Sequence, residues 1–415
     1  MSVTASRRAS SSPLDSVRAL LDRPLASYQL VLGITGLLLG LGLMMVLSAS
    51  SVVALMAGNS YSIFIRQAIF ACVGIAGFVV ANRISLATVQ KWASLPLIAV
   101  IGAILLTFTP LGIDINGNRN WLPLFAGFNL QPSEFAKLAL AIWIAALYTR
   151  RHKYLKTTRG VLFPMTLVAI PVAMLVVGQH DLGTALILFA MIAGMLWVGG
   201  LGLKPMLAFA LGLGVLLTVF VATAPHRVVR FMSFLNPMAD PEVSGYQAVK
   251  AMMGFASGGF WGLGLGQSRQ KWGALPEAHT DFILAVIGEE LGLAGSLVVM
   301  ALFAALAYTG FRIAQRSQDR FARYLAAGIT IWIAVQAIIN IAMVLGLMPV
   351  IGVPLPLISY GGSSLVATLI GLGLLANCAK TEKGAASALR SAKRSKTRTS
   401  TAKKVTVNSG SKRGR

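Results

Sequence analysis

"YQLVLGITGLLLGLGLMMVLSA", residues 28–49, contains no charged side chain. As a helix it would extend about 33 Å, enough to cross the hydrocarbon core of a bilayer. Comparable apolar runs lie near 62–82, 91–110, 133–149, 161–177, 182–200, 204–222, 282–308, 322–346 and 356–378. Spanning segments of this kind must be helices, because only a helix satisfies its own backbone in lipid. The expected fold is all-α: a polytopic integral membrane protein of about ten transmembrane helices.

The composition agrees. Hydrophobic residues make up 56% of the chain and charged residues 12%, with a mean hydropathy of +0.74. A soluble domain carries about a quarter charged residues. Residues 1–27 are polar, with Arg7, Arg8, Arg18 and Arg23. The apolar run after them is too long for a signal peptide, so none is expected. Cys72 and Cys378 both sit in apolar runs, which excludes a disulfide-stapled secreted domain. The expected organisation is an N-terminal segment (1–27), a transmembrane domain (28–378) and a basic tail (379–415).

Charge fixes the expected sidedness. With the N-terminus inside and ten crossings, all but eight of the 36 Lys and Arg residues fall on the inner side, as the positive-inside rule requires. Losing one helix would put "TRRHKYLKTTR", residues 149–159, on the wrong side. Both termini are therefore expected in the cytoplasm. The segment from about 223 to 281 becomes one large extracytoplasmic loop, and its "YQAVKAMMGFASGG" (246–259) is too short to span. An interfacial or re-entrant helix is expected there. The tail lacks apolar residues and is expected to be solvated, touching anionic headgroups. Only its charge would argue for nucleic acid, and no nucleic-acid partner is expected.

Ionisable groups beside hydrocarbon are costly and tend to be functional. In "QPSEFAKLALAIW" (131–143) Pro132 suits a first helical turn, and Glu134 and Lys137 share one face. A self-satisfied interfacial pair explains them as well as a functional one. In "LPEAHTDFILAVIGEELG" (275–292) Glu277, His279, Thr280 and Asp281 sit at a helix start, with Glu289 and Glu290 deeper. Thr280 or Asp281 could simply be an N-cap. The helix dipole would keep Asp281 ionised. We read Asp281 as functional, and Glu289 and Glu290 as helix-pairing groups. Lys137 is expected within ion-pair reach of Glu134 or Asp281, in one outward-facing cavity. "DINGNRNW" is not an EF-hand, "GLGLG" has no dinucleotide-binding context, and the outer histidines lack zinc-ligand spacing. No metal ligand is assigned.

Taken in order, "MVLSASS", "NRNWLPL…LQPSEFAKLAL", "QHDLGTA", "YQAVKAMMGFASGGFWGLGLGQSRQKWGALPEAHTDFILAVIGEELG" and "GLMPVIGVPLPLISYGGSS" resemble the SEDS proteins (shape, elongation, division and sporulation). The resemblance spans nearly all of 40–378, and the long basic tail and "GGFWGLGLGQSRQKWG" look more like the division type than the elongation type. It implies a peptidoglycan glycosyltransferase polymerising lipid II at the outer face of a bacterial inner membrane, at the division septum. A class B penicillin-binding transpeptidase and other division proteins are the implied partners. In that family the catalytic acid is the Asp of "HTDF", here Asp281, with Glu134 and Lys137 lining the same cavity. His180 departs from the pattern, which more often has Pro there. Transfer from a pyrophosphate needs a base and cations. Arg119, Arg227, Arg230, Arg269 and Lys271 are the candidate cations, with Glu277 and His279 beside the substrate. No cofactor is read from the residues, although a divalent cation at the pyrophosphate is compatible with them. A lipid-precursor flippase and a non-catalytic division scaffold are the alternatives.

Overall fold

The computed structural model describes residues 23–388 apart from 57, 116–117, 125–127, 224, 244, 273–274 and 386. Most of the N-terminal segment and the tail beyond 388 lie outside the described residues. The chain opens with α1 (Ala26–Met56), α2 (Ser62–Arg83), the short α3 (Leu86–Lys91) and α4 (Ser94–Thr107). After a small sheet come α5 (Pro132–Arg150), α6 (Thr158–Gly178), α7 (Leu182–Val198) and α8 (Leu203–Ala222). Then follow α9 (Pro225–Leu235), α10 (Tyr246–Gly258), α11 (Ile283–Arg316), α12 (Arg320–Val344) and α13 (Gly362–Ala379).

Seven of these helices are long and apolar enough to cross a membrane, and α4 and α7 are shorter apolar helices. With α5, which carries Glu134 and Lys137 in its first turns, they correspond one to one with the ten expected spans. α12 and α13 form the centre, with most of their residues buried. Close approach there depends on small residues: a Cβ on Gly373 would stand 2.5 Å from the Phe78 carbonyl of α2. At the other extreme, α8 buries none of its residues and presents an apolar surface all round.

Three features differ from the expected pattern. Residues 113–130 form a small antiparallel sheet, β1 (Ile113–Ile115), β2 (Asn118–Pro123) and β3 (Asn129–Leu130), in the order β1-β2-β3. Pro110, Gly112 and Pro123 disfavour helix there, and strand pairing satisfies the backbone instead. α11 is longer than expected and breaks at Gly292 (φ 70°, ψ −169°), a conformation open essentially to glycine alone. α13 starts at 362 rather than 356, because Pro354 and Pro356 hold the preceding segment irregular. There Leu355 N–H donates to Ser359 Oγ at 2.8 Å. Beyond α13 the chain stays packed: Gln318 N–H donates to the Thr381 carbonyl at 3.1 Å, and Ala385 is buried.

Candidate active site

Four separated segments meet at the mouth of α11. Asn340, in α12, donates from Nδ2 to the Asp281 carbonyl at 2.8 Å and to the Val353 carbonyl at 2.6 Å. A Cβ on neighbouring Gly352 would lie 3.5 Å from Asp281 Oδ2, and one on Gly183 would lie 2.7 Å from the Ile351 carbonyl. The 351–353 segment is thus wedged between the starts of α7 and α11.

Asp281 is not a cap. Phe282 occupies that position, and its side chain makes no capping hydrogen bond. The turn before it is closed by Glu277, which sits at φ 56°. Its carbonyl accepts from Phe282 N–H at 3.1 Å, and its carboxylate accepts from Thr280 Oγ1 at 2.6 Å. Burial, with Glu277 and Asp181 adding to it, pushes the Asp281 carboxyl up to about 7. The dipole was expected to keep this acid ionised. Desolvation and two like charges outweigh it, because both act on the carboxyl itself.

Asp181 organises the opposite wall. Its Oδ1 accepts from Thr184 N–H at 3.0 Å, capping α7. Its Oδ2 accepts from Asn120 Nδ2 at 3.0 Å, Gln131 Nε2 at 2.9 Å and Ser133 Oγ at 3.4 Å. One carboxylate therefore ties β2 and the start of α5 to the start of α7. His180, the departure from the family pattern, has φ 64° and leaves Asp181 in place.

Lys137 is fully buried, and its Nζ lies 2.8 Å from Glu134 Oε1 and 2.9 Å from Gln336 Oε1. The Trp332 ring lies 5.6 Å beneath the ammonium. The pairing expected with Glu134 or Asp281 is therefore met by Glu134, but both side chains are buried rather than facing an open cavity. Gln336 carries the network upward, donating from Nε2 to the Pro354 carbonyl at 2.9 Å, beside the segment that touches Asp281. Glu134 Oε2 is buried and accepts no hydrogen bond among the described residues.

The remaining candidates are spread out. The His279 ring is 5.6 Å from that of Tyr360, and burial lowers its pKa. Burial pushes the Tyr360 phenol up, with Arg66 nearby acting against it. Arg119 is exposed on β2 and donates to the Thr109 carbonyl at 2.8 Å. Arg230 lines a cleft of about 550 Å³ between α9, α10 and the Met343–Val350 segment, which reaches Pro276. Arg269 is exposed. The side chain of Arg227, in α9, lies outside the described residues. Lys271 is buried and paired with Glu290 at 3.3 Å. Glu289 and Glu290 are buried and saturated by bonds from the 268–271 loop, so they do not wall an open cavity.

Sequence reasoning passed over Asp181, Asn120, Gln131, Gln336, Tyr360 and Arg66 as site residues. A signal existed for some of them: Gln336 and Asn340 interrupt an otherwise apolar run, and polar groups at membrane depth need partners.

Fold and site together define a multi-pass membrane protein with a carboxyl of raised pKa, Asp281, where α11 begins. The chain belongs to the FtsW/RodA/SpoVE family of cell cycle proteins, whose family model matches residues 28–384. Relatives named "probable peptidoglycan glycosyltransferase FtsW" include those of Mycobacterium tuberculosis, 42% identical over 93% of this chain and 74% of theirs, and Trichlorobacter lovleyi, 40% identical over 85% of this chain and 93% of theirs. Among solved structures, a chain of a peptidoglycan synthase complex that coordinates polymerization and crosslinking is 27% identical. It has a TM-score of 0.68 and covers 84% of this chain and 96% of its own. The rod shape determining protein RodA of Thermus thermophilus is 25% identical with a TM-score of 0.62, covering 85% and 96%.

Proposed function

We propose that this chain is a peptidoglycan glycosyltransferase of the FtsW type, polymerising lipid II during division. The observation that carries the reading is the Asp281 carboxyl, poised at about 7 where the starts of α7 and α11, Asn340 of α12 and the 351–353 segment meet. A general base works best with a pKa near the operating pH. In the reaction the acceptor sugar hydroxyl bonds to the anomeric carbon of the donor, and its proton passes to Asp281. The bond from that carbon to the pyrophosphate oxygen breaks, and undecaprenyl pyrophosphate leaves. Glu277 and His279 border the reacting groups. Arg66, Arg119, Arg227, Arg230 and Arg269 are the cations available to the pyrophosphate, whereas Lys271 is engaged with Glu290. The Lys137–Glu134 pair supports the floor of the site through Gln336.

On this reading both termini are cytoplasmic and the site faces outward, in the bacterial inner membrane at the septum. A class B penicillin-binding transpeptidase is the proposed partner, in line with the two-activity complex to which the chain is similar. The test is purified protein in nanodiscs or vesicles with fluorescent lipid II. Glycan polymer from the wild type and none from Asp281→Asn is expected. Transbilayer movement of lipid II without polymer would favour a flippase, and neither activity, with or without the partner, would favour a scaffold.

A further inference from the structure

The break in α11 has a specific occupant. Where Gly292 interrupts the helix, the Glu289 and Glu290 carbonyls and the Leu293 and Ala294 N–H groups lose their regular partners. The 259–264 loop supplies them. Leu263 N–H donates to Glu289 O at 2.9 Å and Gly264 N–H to Glu290 O at 3.0 Å, while Leu293 N–H donates to Gly259 O at 2.9 Å and Ala294 N–H to Phe260 O at 3.1 Å. Two irregular segments satisfy each other, the condition on which irregular backbone survives at membrane depth.

Their depth follows from two independent helices. Gly292 lies about 13 Å down α11 from its start at Ile283. Ser48 bonds to Glu290 at 2.7 Å and lies about 12 Å from the Met56 end of α1. The headgroup zone takes up about 6 Å of this on each side. Because α1 and α11 are 31 and 34 residues long and overhang a hydrocarbon core about 30 Å thick, the loop lies at the outer boundary of the hydrocarbon. α10 leads down to it, with Gly254 and Gly258 against α11: a Cβ on Gly258 would lie 2.0 Å from the Gly288 carbonyl.

Side chains hold the loop there. The Glu289 carboxylate accepts from Ser268 Oγ, from Arg269 N–H at 3.0 Å and from Gln270 N–H at 3.3 Å. Glu290 takes the Lys271 ammonium at 3.3 Å, and that ammonium also donates to the Gly266 carbonyl at 2.6 Å. At the tip, Trp261 is 80% exposed and Phe260 53%, their rings 4.9 Å apart. Leu263 and Leu265 beside them are also exposed.

We propose that Tyr246–Lys271 is a re-entrant hairpin anchored by Glu289 and Glu290, and that its Phe260–Trp261 tip is a lipid-binding surface packed among acyl chains. The depth argument selects this occupant, because an uncovered aromatic tip at the outer boundary of the hydrocarbon meets lipid first, where tryptophan is enriched. The inference is independent of the proposed chemistry and needs only the membrane-spanning fold.

The test uses the full chain with Cys72→Ser, in vesicles of phosphatidylethanolamine and phosphatidylglycerol. Trp261→Cys is compared with Val243→Cys, which lies in the exposed link between α9 and α10. Trp261→Cys should resist a charged, membrane-impermeant maleimide, take up an apolar fluorescent one, and be quenched by lipids brominated on the acyl chain. Val243→Cys should do the reverse. Equal reaction of both with the charged reagent would overturn the re-entrant hairpin. A probe at 261 that neither the charged reagent nor brominated lipid reaches would mean protein covers the tip, and would overturn the lipid assignment. Adding Glu290→Gln should raise the reactivity of 261 with the charged reagent about tenfold, the scale of one lost charged hydrogen bond. Ser48→Ala is the milder second variant, with a smaller rise expected. If both variants insert and neither raises reactivity, the anchoring role is wrong.

Discussion

Asp281→Asn should abolish polymerisation and, at alkaline pH, stabilise the protein. The two effects share one cause. The folded carboxyl titrates at about 7 against an ordinary 3.8, so the folded state holds its proton more tightly than the unfolded state does. Below the unfolded value both states are protonated and nothing is lost. As pH rises towards the folded value the unfolded state ionises first, and stability falls through that window. Above about 7 the full penalty stands. At 1.36 kcal/mol per unit it is about 4 kcal/mol as a ceiling, and less for a carboxyl that is only partly enclosed. Asparagine carries no charge and escapes the penalty. Its gain in thermal unfolding midpoint over the wild type should therefore be near zero at about pH 4 and largest at about pH 8.5. Polymerisation should fall by about 10²–10⁴-fold, the usual contribution of a general base. Wild-type turnover by the Asn variant would refute the catalytic role. A stability difference that does not vary with pH would refute the account of the raised pKa.

Lys137→Ala leaves the Glu134 carboxylate buried and unpaired, and should cost about 3–5 kcal/mol. Lys137→Met combined with Glu134→Gln should recover most of that in thermal unfolding, and no recovery would argue against the pair. Asp181→Ala removes a cap and three further bonds along with a charge that raises the Asp281 pKa. Its residual activity should therefore rise with pH at a lower value than in the wild type, whereas an unshifted profile would place Asp181 electrostatically apart from Asp281. Gly292→Ala forces a Cβ to 2.4 Å from the Gly262 nitrogen in a backbone region costing about 1–3 kcal/mol for other residues. A marked loss of thermal stability in detergent is expected, and wild-type stability would mean that the break is not needed.

The ten spans were legible because hydropathy is a local property: each run carries its own requirement for a helix wherever the rest of the chain goes. The small sheet was not: its strands are local hairpins, Ile113 opposite Trp121 and Leu122 opposite Leu130, and they are too short for a period-two pattern to show. Glu134, Lys137 and Asp281 stood out in the sequence as well, because a charged group in an apolar run is conspicuous whatever its partner. Lys271 shows where that reasoning stops. From the sequence it was one more cation near the site, yet its ammonium is committed to Glu290 and Gly266.

The sequence by itself determined that this chain is a bundle of about ten membrane helices, and it singled out the acids and the lysine at their ends. Tertiary structure decided what those groups are. Lys137 gains its second partner from Gln336, 199 residues away. Asp181 became a structural hub through Asn120, 61 residues before it. Asp281 has its pKa raised because desolvation and two carboxylates, Glu277 and Asp181, act on it. Helix formation follows from neighbours along the chain, while the charge state and partners of a buried group follow from whatever the fold brings within a few ångströms of it.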